Sequence, residues 1–250
     1  MFTDTHCHIH ESTYPHDPDE TIARAHQAGV NTMICVGTSQ QSSQQAVDFV
    51  QRRDNIFASI GVHPHDTEDG YGRVGQLLDE KHSKIVAVGE IGLDYFYTHS
   101  PRAVQITALE AQIDMALKAD LPIIFHVREA FDDFWPIIDN FHGIRGELHS
   151  FTDTTAQLEQ GLKRGLYIGV NGISTFTKDE VQKRMFTTIP LDRLLLETDA
   201  PFLTPVPLRG KVNEPAFVVS VAKFQAEQRG LQLEQIAAAT TANAYRLFAL

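Results

Sequence analysis

Six residues spread along a 250-residue chain, His6, His8, Glu90, His126, His149 and Asp199, have the types expected of one metal site. Imidazole nitrogens and carboxylate oxygens are the usual donors for zinc and similar divalent ions. Six donors are more than one tetrahedral ion with an open position takes, but they suit two ions sharing a carboxylate. The count therefore points to metal-assisted hydrolysis, in which bound ions activate water and polarise the bond to be cut.

Each donor has a bland alternative. His6 and His8, in THCHIH, are two apart, so an extended backbone points both to one side, with Asp4 just before them. His10 would share that parity, but Glu11, Ser12 and Pro15 mark the start of a loop. Glu90 follows the apolar run 85–88, and a carboxylate there is costly unless it is paired or bound to a cation. It is either a loop residue held by backbone amides or, with two oxygens to share, a bridge between ions. Asp94 suits a supporting role.

His126 follows the apolar stretch 121–125, and Arg128 shares its face. A guanidinium there suits bidentate contact with phosphate or carboxylate, against the alternative of an ion pair with Glu129 or Asp132. His149, in GELHSF, is a weak signal alone. In LLLETDAP, parity places Glu197 and Asp199 together. Asp199, nearer the strand mouth, is the candidate ligand and proton acceptor, and Glu197 lies deeper, in a buried hydrogen bond or ion pair. His63 and His65, in GVHPH, would orient substrate or shuttle a proton, or else flank a turn fixed by Pro64.

These residues need elements to bring them together. Short β-branched and apolar runs at 2–5, 32–36, 57–62, 85–89, 123–126, 146–149, 167–170 and 194–197 read as strands. Helical stretches follow each, near 19–28, 40–52, 73–82, 103–119, 130–141, 155–164, 178–187 and 215–228, with two further turns at 233–238 and 241–248. The helix at 103–119 carries Ile106, Leu109, Ile113, Ala116 and Leu117 at helical spacing. Eight such units in one chain predict a single-domain α/β protein, a TIM-type (β/α)8 barrel over 1–250, with its site at the C-terminal ends of the strands. An open doubly wound sheet gathers its site near one switch point, whereas these candidates come from units 1, 3, 4, 5, 6 and 8.

Six of the 12 histidines (6, 8, 63, 65, 126 and 149) fall at expected strand mouths. His26, His82 and His142 fall in helical stretches, and His10, His16 and His99 in loops. Strand mouths are a small part of the chain, so chance is a poor explanation.

Bulk properties narrow the setting. The opening MFTDTHCHIH has no basic segment followed by an apolar core, and no apolar run approaches the ~18 residues needed to span a bilayer. Two cysteines, Cys7 and Cys35, suit a reducing compartment rather than a disulfide scaffold, and a cytoplasmic location is expected. The net charge of −11 argues against tight nucleic-acid binding by broad electrostatics. It does not exclude a nuclease, because two divalent ions would place positive charge where a phosphate must sit. No obligate protein partner is evident.

The motifs DTHCH at 4–8, GVHPH at 61–65, GEIGLDY at 89–95, HVREA at 126–130, LHSF at 148–151, LLLETDAPFLTP at 194–205, RGKVNEP at 209–215 and ANAYRLF at 242–248 occur in order over the whole chain. Together they resemble the TatD family of metal-dependent deoxyribonucleases, within the amidohydrolase-like barrels. The resemblance implies a TIM-type barrel with two divalent ions, zinc, manganese or magnesium. His6, His8 and Asp199 would hold one ion, His126 and His149 the other, and Glu90 would bridge them. Where the family has a small apolar residue, Cys and Gly around the sixth-unit histidine, this chain has Glu147, Ser150 and Asp153.

The resemblance further implies hydrolysis of a phosphodiester in DNA, resembling a 3′-5′ exonuclease. Asp199, His63 and Arg128 would be the catalytic groups, and His65, Arg128, Arg209 and Lys211 the substrate contacts. The competing expectation is a metal-dependent amidohydrolase or esterase cutting a C–N or carboxylic-ester bond, in a small molecule or an aminoacyl-tRNA. Many such enzymes bridge their metals with a modified lysine on the fourth strand, where this chain has Glu90. A non-enzymatic scaffold would be marked by loss of donors, and all six are intact.

Overall fold

The structure, a computed structural model, describes residues 1–97 and 99–250. Its eight strands are β1 (Phe2–Cys7), β2 (Val30–Val36), β3 (Ile56–Ile60), β4 (Ile85–Asp94), β5 (Ile123–Arg128), β6 (Gly146–Leu148), β7 (Tyr167–Val170) and β8 (Leu194–Leu196). They form one sheet in sequence order, and helices separate successive strands, which is the (β/α)8 topology. All eight expected strands are present. β4 runs five residues beyond its expected end, so Glu90 lies inside the strand.

The helices are α1 (Pro18–Gln27), α2 (Gln40–Val50), α3 (Gly72–Asp79), α4 (Arg102–Lys118), α5 (Phe131–Ile138), α6 (Thr155–Lys163), α7 (Ile173–Phe176), α8 (Glu180–Thr188), α9 (Val218–Arg229) and α10 (Leu233–Phe248). Local chemistry starts several of them. Asp17, Ser39, Thr154 and Asp179 each accept a backbone N–H from the first turn that follows, satisfying donors the helix itself cannot. The expected pair of turns at 233–238 and 241–248 is one continuous helix, α10. His82 and His142 lie beyond the ends of α3 and α5, not on helices.

Two compact units make up the chain, Met1–Cys35 with Ser150–Leu250, and Val36–His149. In the first, β1 pairs in parallel with β2, and β7 with β8. A parallel bridge from Cys7 to Ala200 joins β1 to the segment after β8. Ile9, Met33, Ile34 and Phe186 are fully buried there. In the second, β3–β4–β5–β6 run in parallel, with Ile60, Ile91, Leu93, Leu109, Phe125 and Phe134 fully buried. Burying such side chains is the main favourable term in folding, at roughly 1.5–3 kcal/mol each.

The buried face of α4 differs from the expected stripe. Gln105, Ala108, Leu109, Gln112, Ile113 and Ala116 are buried, while Ile106 and Leu117 are only half-covered. Two amides sit in the core because each binds the backbone at or just past the end of a strand. Gln112 accepts from Val62 N at 2.8 Å and donates to Val62 O at 3.2 Å. Gln105 does the same for Asp94. No helix among the described residues is long and apolar enough to cross a membrane.

Candidate metal centre

In the first unit, β1 carries His6 near its end and the chain turns out at His8, while Asp199 follows β8 by three residues. Backbone bonds fix the approach, with Asp199 N donating to His6 O at 2.9 Å and His8 N to Ala200 O at 2.7 Å. Asp199 itself is in the left-handed region at φ 57°, which a non-glycine residue occupies at some cost and chiefly at functional positions. The Nε2 atoms of His6 and His8 are 3.2 Å apart, and Asp199 Oδ1 lies 3.2 Å from His8 Nε2 and 3.8 Å from His6 Nε2.

Those separations test whether a cation fits. Bonds of about 2.1 Å at roughly tetrahedral angles place neighbouring donor atoms about 3.2–3.5 Å apart. Two of the three separations, 3.2 Å each, match that spacing and the third, 3.8 Å, corresponds to a wider angle at the ion, so two imidazole nitrogens and a carboxylate oxygen here can hold one divalent ion.

Asp4 lies behind this set. Its carboxylate accepts from Thr198 N at 2.8 Å, Thr198 Oγ1 at 2.6 Å and His6 N at 3.4 Å. Burial pushes its carboxyl up to about 8, against the lowering effect of the Thr198 hydrogen bonds. Asn213 Nδ2 donates to Thr198 O at 2.8 Å, so the NEP motif holds the same loop. Glu197 is fully buried and accepts from Ser150 N at 2.8 Å and Asn171 Nδ2 at 3.2 Å.

The second unit gathers a further donor set around Glu90. Its Oε1 lies 2.8 Å from His126 Nδ1, 3.6 Å from His63 Nε2 and 3.8 Å from His149 Nε2. Glu90 N donates to Gly37 O at 3.0 Å and Ser59 Oγ to Gly89 O at 2.7 Å, so β4 is pinned on both sides of its carboxylate. Gly92 is required next to it, because a Cβ there would collide with the His126 carbonyl oxygen.

His126 has a carboxylate at each ring nitrogen, Glu90 at Nδ1 and Asp94 Oδ2 at 3.0 Å from Nε2. Burial disfavours its protonation, but hydrogen bonds to Asp94 and Glu90 outweigh burial and raise its pKa. Asp94 also takes His65 Nε2 at 3.0 Å and the N–H groups of Phe96 and Tyr97, both at 3.0 Å. Burial works against its ionisation, yet His126, the Tyr97 amide and His65 hold it well below the usual carboxylate range. His63, by contrast, is held well below its ordinary value by burial and by His126, which keeps it a neutral imidazole.

The remaining expected contacts are more dispersed. Arg128 is exposed at the end of β5 and lies over the rings of Phe96 and Tyr97. It pairs with neither Glu129 nor Asp132 among the described residues. Arg209 donates to Thr204 O at 2.7 Å and lies 4.0 Å above the Phe176 ring, so its guanidinium stabilises its own loop. Lys211 is exposed and its carbonyl accepts from Thr204 Oγ1. Sequence reasoning missed Thr198, Gln105, Gln112 and Asn213 as supports. The one available signal was the seven-residue spacing of the two glutamines, which puts both on the same face of α4.

Comparison with known proteins bears on the whole chain. The family model for TatD-related DNases matches residues 3–249. An uncharacterised metal-dependent hydrolase of Bacillus subtilis, YabD, is 38% identical over 254 residues, covering 99% of each chain. A protein of Citrobacter rodentium named 3′-5′ ssDNA/RNA exonuclease TatD is 36% identical, covering 96% of this chain and 94% of its own. The crystal structure of the TatD homologue YJJV from Escherichia coli K12 superposes with a TM-score of 0.93 at 30% identity, covering 100% of this chain and 98% of the other. With that agreement from end to end, and with histidine and carboxylate donors set at cation spacing, the chain belongs to the TatD-related DNase family of metal-dependent hydrolases.

Proposed function

We propose that this protein is a divalent-metal-dependent phosphodiesterase acting on DNA, at the ends of single strands, with two ions per chain. The observation that carries the reading is the His6, His8 and Asp199 donor set, spaced for one divalent cation. His126, His149 and Glu90, all within the second unit, would hold the second ion. Relatives named as 3′-5′ ssDNA/RNA exonucleases support a single-stranded substrate and the direction of cleavage. Glu90 on β4, in place of the modified lysine of many amidohydrolases, supports phosphate over carbonyl chemistry.

When bound, the ions would supply Lewis acidity and an activated water, zinc, manganese and magnesium being the candidates. Asp199 would accept a proton from the attacking water and return it to the leaving oxygen. Neutral His63 donates a hydrogen bond toward the phosphate, and His65 helps to orient the substrate. Arg128 places positive charge at the strand mouth, where negative charge builds up in the transition state. Asp94 accepts from His126, which orients that ring and raises its basicity as a ligand.

The test is a substrate panel of end-labelled single-stranded DNA, bis-p-nitrophenyl phosphate, and lactone and amide compounds, each with zinc, manganese or magnesium. Asp199→Asn serves as the blank. Metal-dependent cleavage of the phosphodiesters, lost in the variant, is expected. Turnover of the carbonyl compounds alone would replace this reading with an amidohydrolase or esterase.

A further inference from the structure

Beside the Glu90 donor set, on the same unit, the chain leaves two aromatic rings in the open. Phe96 is 48% exposed and Tyr97 42%, although side chains of this size are usually covered. They follow β4 directly, their ring centroids 4.7 Å apart and nearly perpendicular. The Arg128 guanidinium lies 3.9 Å from the centroid of Phe96 and 5.0 Å from that of Tyr97.

The group is built in place. Phe96 N and Tyr97 N both donate to Asp94 Oδ1, while Asp94 Oδ2 receives His126 and His65. One carboxylate therefore fixes the rings with one oxygen and the histidine cluster with the other. Tyr97 meets His65 edge to face at 5.3 Å and lies against His99 at 5.7 Å. A partly exposed aromatic ring backed by a guanidinium and walled by a second ring set edge-on matches the face of a nucleobase, which stacks on aromatic rings and arginine planes whatever its identity.

We propose that Phe96 and Tyr97, stiffened by Arg128, form a stacking shelf for an unpaired nucleobase next to the phosphate being cut. This rests on the phosphodiester reading and adds a substrate requirement to it. The strand must present a base free of a pairing partner, and the identity of that base matters little. A duplex holds its terminal base in its own stack and cannot supply it without fraying.

Two measurements test the shelf. First, Phe96→Ala and Tyr97→Ala are compared with the wild type on a single-stranded oligonucleotide, on the same oligonucleotide abasic at its last position, and on bis-p-nitrophenyl phosphate. The variants are expected to lose tenfold or more in kcat/KM on the normal strand, and several-fold less on the abasic strand and the small diester. Phe96→Trp is expected to restore most of the loss. Equal losses on all three substrates would mean that the rings only support the fold, and would overturn the shelf.

Second, oligonucleotides with 2-aminopurine at one end or the other, and a phosphorothioate last linkage, are titrated with protein. Stacking at one end should quench the fluorescence, and Phe96→Ala should abolish the quenching. Unaltered quenching in that variant also overturns the proposal. Failure of the phosphodiester reading looks different, since the wild type would then cut no phosphodiester with any metal. The fluorescence titration would still decide the shelf in that case.

Discussion

Gln105 holds the peptide of Asp94 at both ends, accepting from its N–H at 2.9 Å and donating to its carbonyl at 3.0 Å. Its amide also donates to Ser100 O at 3.0 Å, so one buried side chain locks β4 to the loop that follows. Replacement by leucine, similar in volume, removes three hydrogen bonds and leaves a buried N–H unpaired. Gln105→Leu should destabilise the fold by about 2–4 kcal/mol, since an unsatisfied buried group costs more than an average hydrogen bond is worth. Urea unfolding should show a lower midpoint at an unchanged slope.

The metal content should follow the donor sets. Zinc-loaded wild type is expected to retain two ions per chain by elemental analysis, and Asp199→Asn about one. Chelation should abolish hydrolysis and lower the melting temperature by several degrees, because a ligand that binds only the folded state stabilises it by mass action. Re-addition of metal should restore both.

The Asp4–Thr198 contact gives a prediction about affinity rather than ligand count. Thr198→Val removes the 2.6 Å hydroxyl bond to Asp4 but keeps the backbone bond and the side-chain shape. Groups that orient ligands commonly contribute 10- to 100-fold in metal affinity. A loss of that order is expected in competition with a chromophoric chelator, with Thr198→Ser close to wild type.

Much of this was legible in the residues, for identifiable reasons. Strands such as 85–88 and 194–196 are continuous apolar runs, because parallel strands are buried on both faces. Glu90 and Asp199 are polar groups just after such runs, and His6 and His8 are marked by their two-residue spacing beside Asp4. What could not be read was support from distant residues. The 11-residue step from Asp94 to Gln105 and the 194-residue step from Asp4 to Thr198 leave no local pattern. The end of β4 was misplaced for a related reason. Glu90, Gly92 and Asp94 carry loop-forming chemistry, and only the site around them makes an extended strand of polar and glycine residues stable.

Alkaline pH should probe the second unit. Burial and the hydrogen bond to Asp133 push Tyr95 up to about 12. In the unfolded chain a tyrosine loses its proton near about 10. Between about pH 10 and 12 the unfolded state therefore releases a proton that the folded state keeps, and stability falls as pH rises through that window. Tyr95→Phe should flatten the decline, measured as unfolding midpoints at pH 9, 10 and 11. An equally steep decline in Tyr95→Phe would assign it to other groups, Tyr14 among them, which burial also raises to about 12.

The separation of 191 positions between His8 and Asp199 has a consequence for how the protein is made. A growing chain exposes His6 and His8 early, and their carboxylate partner emerges only once the segment after β8 has been made. Until then the histidines can hold a cation only loosely. Tight loading must wait for the last strand to dock, a contact that is slow to form because so much chain separates its partners. Firm retention of metal by the His6, His8 and Asp199 set is thus a mark that the segment after β8 has docked, and a product truncated before β8 should release it readily.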